Sequence, residues 1–231
     1  MATVFMKWLE TSPKDYDRGI QILTLGRIQL IKQRIANTYV QADMRILEIG
    51  CGTGTLTTMM GAKGARVTGI DASPAMLNEA DKKVNLQNLN ERVTLQYMDA
   101  SLIGDRFPDG SFDLIVSTLV FSEFSPDLQR YVLEACKKLL APHGQLLIAD
   151  EVSPTRALAR LLFYLVRLPL ALLTWLLTRT STTALQGFEA LLEQGGFRAR
   201  AVISYLGGSL VLYEIQPADL KIAKTELPAG V

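Results

Sequence analysis

The stretch RILEIGCGTG at residues 45–54 decides the fold. RILEI reads as a short strand, and Gly50, Gly52 and Gly54 follow it at every second position. Glycine enters the left-handed backbone region without a Cβ penalty, so the pattern reads as a sharp turn from a strand into a helix. At such a turn backbone N–H groups can approach a ligand, and the helix N-terminus favours electron-rich groups. The spacing is GxGxG, and the third glycine of the GxGxxG dinucleotide fingerprint would fall on Thr55, which weighs against a dinucleotide enzyme. One residue interrupts the apolar strand. Glu48 is a carboxylate whose burial demands a partner, either a lysine or arginine of this chain or the ammonium of an aminoacyl ligand. For the glycines alone, a plain tight turn is the competing reading.

Outward from that turn the chain alternates strand and helix. A helix is expected from Thr55 to Gly61, then the strand RVTGI (66–70), which ends at Asp71, 17 residues after Gly54. Ser73 and Pro74 are N-cap and first-turn signals for the next helix. VTLQYM (93–98), FDLIVSTLV (112–120) and QLLIAD (145–150) read as further strands, with a helix over 128–140 before the last. Short apolar strands separated by helices imply a parallel sheet covered on both faces. A carboxylate at the position of Asp71 can accept from ribose hydroxyls; Asp99 can accept from an adenine amino group, beside the N–H of Ala100. Three strand ends therefore converge on one crevice.

Upstream, residues 15–40 place Ile20, Leu23, Ile28, Ile31 and Ile35 at helical spacing, read as one or two helices broken near Gly26. Downstream, a helix over 188–196 is followed by RAVISYL and SLVLYEI, joined by Gly207 and Gly208 as an antiparallel hairpin. The expected organisation is a helical cap (1–43), one α/β core (44–215) with an apolar insertion at 152–187, and a polar tail (216–231) expected to be poorly ordered.

Composition narrows the partners. The 231 residues suit one domain. With 24 basic and 23 acidic residues the formal charge is +1, so no global field for nucleic acid exists and none is expected as partner. Cys51 and Cys136 lie 85 residues apart and form no metal-ligand spacing, so a reducing compartment and no metal are expected. MATVFMKWLE lacks a basic region followed by an apolar run, so no secretory signal is read and the cytoplasm is the expected location.

In order along residues 44–215, ILEIGCGTG, GIDASPAML, LQYMDAS, FDLIVSTLVFSEF and LLAPHGQLLIAD resemble the successive motifs of class I S-adenosylmethionine (SAM)-dependent methyltransferases. The resemblance implies a Rossmann-like seven-stranded mixed sheet of order 3-2-1-4-5-7-6 with helices on both faces. It implies SAM as cofactor and S-adenosylhomocysteine as product. Glu48, Gly50, Cys51, Gly52 and Gly54 would hold the methionine portion, Asp71 and Ala72 the ribose, and Asp99 and Ala100 the adenine. Met76 would pack on the adenine face or in the core, with Ser117 at the fourth strand and Tyr16 from the cap nearby. Tyr16 and Arg27 would close over the site or serve only structure.

Methyl transfer is an in-line displacement, so positioning and water exclusion carry much of the rate, and a base is needed only for a protonated acceptor. Many small-molecule and quinone methyltransferases have histidines where this chain has Ser122 and Glu123. Glu123 is the first candidate base and Asp150 the second, with Glu151 beside it; His143, the only histidine, is read as structural. The insertion contains ALARLLFYLVRLPLALLTWLL (157–177), and its uncharged run, Leu168 to Thr178, spans 11 residues, short of a bilayer crossing. From Val152 to Phe188 there are four arginines and no acids, a pattern suiting peripheral contact with anionic lipid, a lid over a greasy acceptor, a partner surface or a buried helix pair. The N-terminal stretch VFMKWLETSPKDYDRGIQILTLGR, with STLVFSEF and IADEVSPTRAL, also resembles methyltransferases encoded beside corrinoid proteins, which would make a corrinoid protein the partner. The expected acceptor is thus a hydrophobic small molecule or a corrinoid protein, and a non-catalytic SAM-binding module is the reading from another class.

Overall fold

In the computed structural model the described residues are 9, 12–154, 160, 161, 164, 165, 168 and 184–218. Two helices, α1 (Pro13–Leu23) and α2 (Arg27–Thr38), precede the sheet and are separated at Gly26, whose φ of 73° lets the chain reverse. The core then runs β1 (Arg45–Ile49), α3 (Thr55–Ala62), β2 (Arg66–Asp71), α4 (Pro74–Leu86), β3 (Val93–Tyr97), a short α5 (Ile103–Arg106) and β4 (Phe112–Thr118). It continues with α6 (Pro126–Leu139), β5 (Leu140–Glu151), α7 (Phe188–Gln194), β6 (Phe197–Tyr205) and β7 (Leu210–Pro217).

The seven strands form one sheet in the order β3-β2-β1-β4-β5-β7-β6, as expected. β1 to β5 pair in parallel, while β7 runs antiparallel between β5 and β6. Successive side chains of each strand point to opposite faces, so both faces are apolar. Leu47, Ile49, Ile115, Leu146 and Ile148 pack with Val132, Leu133, Cys136 and Leu139 of α6 and Phe188 and Leu192 of α7. Ile46, Val67, Leu114, Val116 and Leu147 pack with Ile28, Ile31 and Ile35 of α2 and with Leu56 and Met60 of α3. The second helix of the expected cap is therefore a full member of one helical layer.

Local signals account for the element ends. Ser73 accepts from Met76 N–H and Ser125 from Leu128 N–H, each followed by proline, so both helices start at a Ser-Pro pair. α6 consequently begins at Pro126, two residues before the expected start. The hairpin turn is a single 3-10 turn over Leu206–Gly208, with Gly207 and Gly208 at positive φ. β7 runs to Pro217, so the first two residues of the expected tail belong to the sheet; residues 219–231 lie outside the described residues. Of the 157–177 segment, the described positions 160, 161, 164, 165 and 168 are helical and the others lie outside the described residues.

Replacing Ile31, fully buried on α2, with alanine is expected to remove about 3 kcal/mol of unfolding free energy. The same change at Ile22 on α1, which is 67% exposed, should cost under about 0.5 kcal/mol. Urea unfolding midpoints test this, and equal losses would mean that α2 is not part of the core.

Candidate functional site

The order reverses between β1 and β4, and loops leaving the C-terminal edges of those two strands diverge there. This is where open parallel sheets hold ligands. A cleft of about 210 Å³ lies at that edge. Its wall includes Gly50 and Gly52 from the turn, Asp71, Ala72, Ser73 and Met76 after β2, Met98, Asp99 and Ala100 after β3, and Thr118, Val120, Glu123 and Phe124 after β4. Tyr16 of α1 closes one side.

The turn is built by three left-handed glycines: Gly50, Gly52 and Gly54 have φ of 70°, 54° and 73°. Gly50 and Cys51 both donate N–H to the Ile70 carbonyl, at 2.9 and 3.0 Å, tying the turn to β2. A Cβ on Gly52 would meet no protein atom within 4 Å, so the cleft keeps open space against this backbone. Asp71 accepts from Gly52 N–H at 2.8 Å through Oδ2 and from Ser73 N–H at 2.9 Å through Oδ1. Its carboxylate is thereby fixed at the mouth of β2. Asp99 is exposed, accepts from Ser101 N–H at 2.8 Å, and is held below the usual carboxylate range by that amide. The apolar residues Ile49, Ile70, Met76, Met98 and Ala100 lie beside these acids on the cleft wall. Hydroxyl-accepting carboxylates, an apolar slot and a glycine-lined floor suit the ribose, adenine and aminoacyl parts of SAM.

Glu48 does not reach the cleft wall. It is 1% exposed beneath the turn, where it accepts from the Thr57 hydroxyl. Burial pushes its carboxyl up to about 7, against the opposing effects of the Thr57 hydrogen bond and the positive charge of Lys32, while Asp71 adds to the rise. Of the partners considered from sequence, a basic residue of the chain, Lys32 on α2, acts on it through charge, while the direct hydrogen bond comes from Thr57. Cys51 is also buried away from the cleft, and burial, reinforced by the charges of Glu48 and Asp71, pushes its thiol well up. Gly54 fits against α4, and Ser117 donates to the Ile49 carbonyl at 3.1 Å, so both support the turn from behind.

The two candidate bases separate. Glu123 lines the cleft at the end of a 3-10 turn, Phe121–Glu123. Asp150 does not: it is fully buried at the end of β5, accepting from Ser122 N–H at 3.0 Å and Glu151 N–H at 2.7 Å. As a candidate for proton transfer it lacks access to the cleft, and its carboxylate instead anchors the loop that carries Glu123. Gln129 of α6 adds a second anchor, donating to the Phe121 and Phe124 carbonyls at 2.9 and 3.2 Å. Arg27 stacks over the Tyr205 ring 5.2 Å away and takes no part in the cleft, leaving Tyr16 as the cap residue at the wall. Sequence reading passed over Ile70, Met98, Thr118, Val120 and Phe124; each sits one or two positions from a residue that was singled out, and the ends of the strands were the available signal. Among the described residues no group of three potential metal ligands stands together.

Comparison with known proteins agrees with this geometry. Residues 46–144 match the family described as a methyltransferase domain. An uncharacterized methyltransferase of Synechocystis sp. is 26% identical over 215 residues, covering 91% of this chain and 94% of the relative. A demethylmenaquinone methyltransferase of Thermus thermophilus is 31% identical over 150 residues, 64% of this chain; the chain spans 65% of that relative's length. Among solved structures, a SAM-dependent methyltransferase from Aquifex aeolicus superposes with a TM-score of 0.62 at 19% identity, covering 89% of this chain and 97% of its own, a likeness of fold.

The buried glutamate makes stability depend on pH. The folded-state pKa of Glu48, about 7, lies above its ordinary value of 4.5, so between those values the folded protein binds more protons than the unfolded one. Stability contributed by the protonated carboxyl is therefore lost as pH rises through that window, on the order of 3 kcal/mol in all. Glu48→Gln should lack this loss, and urea unfolding of both proteins from pH 4.5 to 8 should show the gap between them shifting by that amount in favour of the variant. Parallel curves would mean that ionised Glu48 is fully compensated.

Proposed function

We propose that the chain acts as a class I SAM-dependent methyltransferase and moves the SAM methyl group to a hydrophobic acceptor entering beside Glu123 and Phe124. The observation that carries this reading is the convergence of Gly52, Asp71, Asp99 and Glu123 on one cleft. SAM supplies an electrophilic methyl on a sulfonium. The chain's own residues bind, orient and exclude water. The glycine turn offers backbone and open space for the aminoacyl end. Asp71, already oriented by two amides, accepts from ribose hydroxyls, since each carboxylate oxygen has more than one acceptor site. Asp99 and the Ala100 N–H read the adenine edge, with Met76 and Met98 against its faces. Glu123 takes the proton from an acceptor hydroxyl or amine, and Val120 and Phe124 keep water from the line of transfer. The likeness to the Thermus relative, a demethylmenaquinone methyltransferase, supports an apolar ring acceptor.

The described part of the insertion carries the features of a lipid-facing surface. Leu161, Leu165 and Leu168 are 58%, 61% and 63% exposed at helical spacing, and Arg160 is exposed beside them. Tyr164 faces inward, its hydroxyl 3.3 Å from Ser153 Oγ and from Gln186 Nε2. With four arginines and no acid between residues 152 and 188, the charge complements anionic lipid, at roughly 1 kcal/mol per basic residue near the surface. The uncharged run of the insertion, 11 residues, is short of a bilayer crossing, so the proposed contact is peripheral; among the described residues no helix is long and apolar enough to cross a membrane.

Two measurements test these proposals. Calorimetry should show Asp71→Ala weakening SAM at least tenfold, while Glu123→Gln keeps SAM affinity but loses about a hundredfold in turnover with tritiated-methyl SAM, polyprenyl quinones and a corrinoid protein being offered side by side. Unchanged affinity sinks the ribose assignment; transfer only to the corrinoid protein sinks the hydrophobic acceptor, and SAM binding without transfer to either acceptor favours a non-catalytic module. The chain should also float with vesicles containing phosphatidylglycerol and stay behind with phosphatidylcholine alone. Equal behaviour with both removes the anionic-lipid surface.

A further inference from the structure

Outside the cleft, four polar side chains from three separated segments meet between the cap and the back of the glycine turn. Asp17 Oδ1 accepts from the hydroxyls of Thr53 and Thr55 at 2.8 and 3.1 Å. Its other oxygen is paired with Lys83 Nζ at 2.5 Å. Lys83 also donates to the same two hydroxyls, at 3.0 Å to Thr53 and 2.8 Å to Thr55. The network is closed: each threonine gives its proton to the carboxylate and accepts from the ammonium, and all three ammonium protons are used. Burial alone would raise the Asp17 carboxyl, but the Lys83 hydrogen bond and charge, with the Thr53 hydroxyl, hold it below its ordinary value.

The placement of these residues gives the network a function. Thr53 lies between Gly52 and Gly54 in the turn, Thr55 opens α3, and Lys83 is on the helix that follows Asp71. Asp17 is on α1, one residue after Tyr16, which stands in the cleft wall. A second cap charge, Lys32 on α2, acts on Glu48 under the same turn. Asp17 and Lys83 remain about one-third exposed, at 32% and 29%, so water can compete for the network when α1 lifts.

We propose that Asp17, Thr53, Thr55 and Lys83 form a latch that holds α1, and with it Tyr16, over the bound cofactor, so that cap closure and cofactor binding are one linked equilibrium. Asp17 and Lys83 are then positioning residues: they act through Tyr16 and the glycine turn and touch no reacting atom. The inference rests on the assignment of the cleft to SAM. Linkage requires that a ligand favouring the closed form also shift the cap toward closure, and that weakening the latch lower affinity as far as it depopulates the closed form.

The test uses the full chain, with SAM affinity by calorimetry and hydrogen exchange of residues 13–23 with and without saturating SAM. In the wild type, SAM should slow exchange over this helix at least tenfold. Asp17→Ala and, independently, Lys83→Met should each raise the SAM Kd by about 10- to 100-fold and abolish the added protection, while the double variant is no worse than the poorer single. Asp99→Ala, which removes a hydrogen bond from Ser101 N–H and none from the glycine turn, should weaken SAM while leaving cap exchange in the SAM-free protein unchanged, which separates the latch from the adenine contact. A merely structural network would lower the unfolding midpoint without moving Kd measured well below it. Wild-type SAM affinity in both latch variants, or cap exchange indifferent to SAM, overturns the latch. A wild-type chain that takes up no SAM overturns the cofactor assignment and the latch with it.

Discussion

The turn from β1 into α3 can exist only because three of its residues lack a Cβ, and neighbouring elements have closed in on the space this leaves. A Cβ on Gly50 would come within 2.3 Å of a Val120 methyl, and one on Gly54 within 2.8 Å of the Ala80 Cβ. The loop after β4 therefore rests on the first glycine and α4 on the third. Only at Gly52 does the missing side chain leave room facing open space. With φ positive at all three, any larger residue would also meet backbone strain of order 1 kcal/mol or more. One turn thus fixes the spacing of the fourth-strand loop, the helix after Asp71 and the floor of the cleft.

Around that turn, identical carboxylates acquire different properties from their surroundings. Glu48, desolvated and given one hydroxyl, is pushed up to about 7. Asp17, nearly as close to the turn but bonded to an ammonium and two hydroxyls, is lowered. Asp99, at the surface with an amide donor, is lowered as well. Asp71 spends hydrogen bonds on holding the turn and still faces the cleft. A site for a cationic sulfonium with a hydroxyl-bearing sugar benefits from fixed negative charge at its edge, while an uncompensated charge in the core beneath would be costly. The protein separates the two by depth.

Much of this was legible in the residues because it depends on local chemistry. Glycine spacing gave the turn, Ser73-Pro74 the start of α4, and the run of apolar strands the sheet; the terminal hairpin followed from Gly207 and Gly208. Asp71, Asp99 and Glu123 were identifiable because each stands just past a strand that the pattern located. What escaped depends on contacts between distant segments. Asp17 and Lys83 are 66 residues apart, and neither carries a local signal that the other is its partner. Asp150 shows the converse. A strand-end acid reads as a catalytic candidate, yet the same position also lets a carboxylate collect backbone amides from the adjoining loop, and only the path of that loop decides which occurs.

The two walls of the cleft are consequently made in different ways. The wall after β4 is clamped from the interior: Asp150 holds Ser122 N–H, Gln129 holds two carbonyls, and Phe121 packs on Phe124 and Phe188 at ring-centroid distances of 5.3 and 5.9 Å. Opening it would expose buried aromatic surface and take one amide donor from a buried carboxylate, both expensive. The wall supplied by α1 has Ile20 as its buried apolar anchor, and beside the cleft it is held by hydroxyls and a partly hydrated ion pair, which water replaces at lower cost. In-line displacement tolerates little error in the placement of the acceptor, and the wall beside Glu123, where the acceptor is proposed to enter, is the rigid one. A cofactor that must enter and leave as its methylated and demethylated forms needs a wall that yields, and that is the side on which Tyr16 stands.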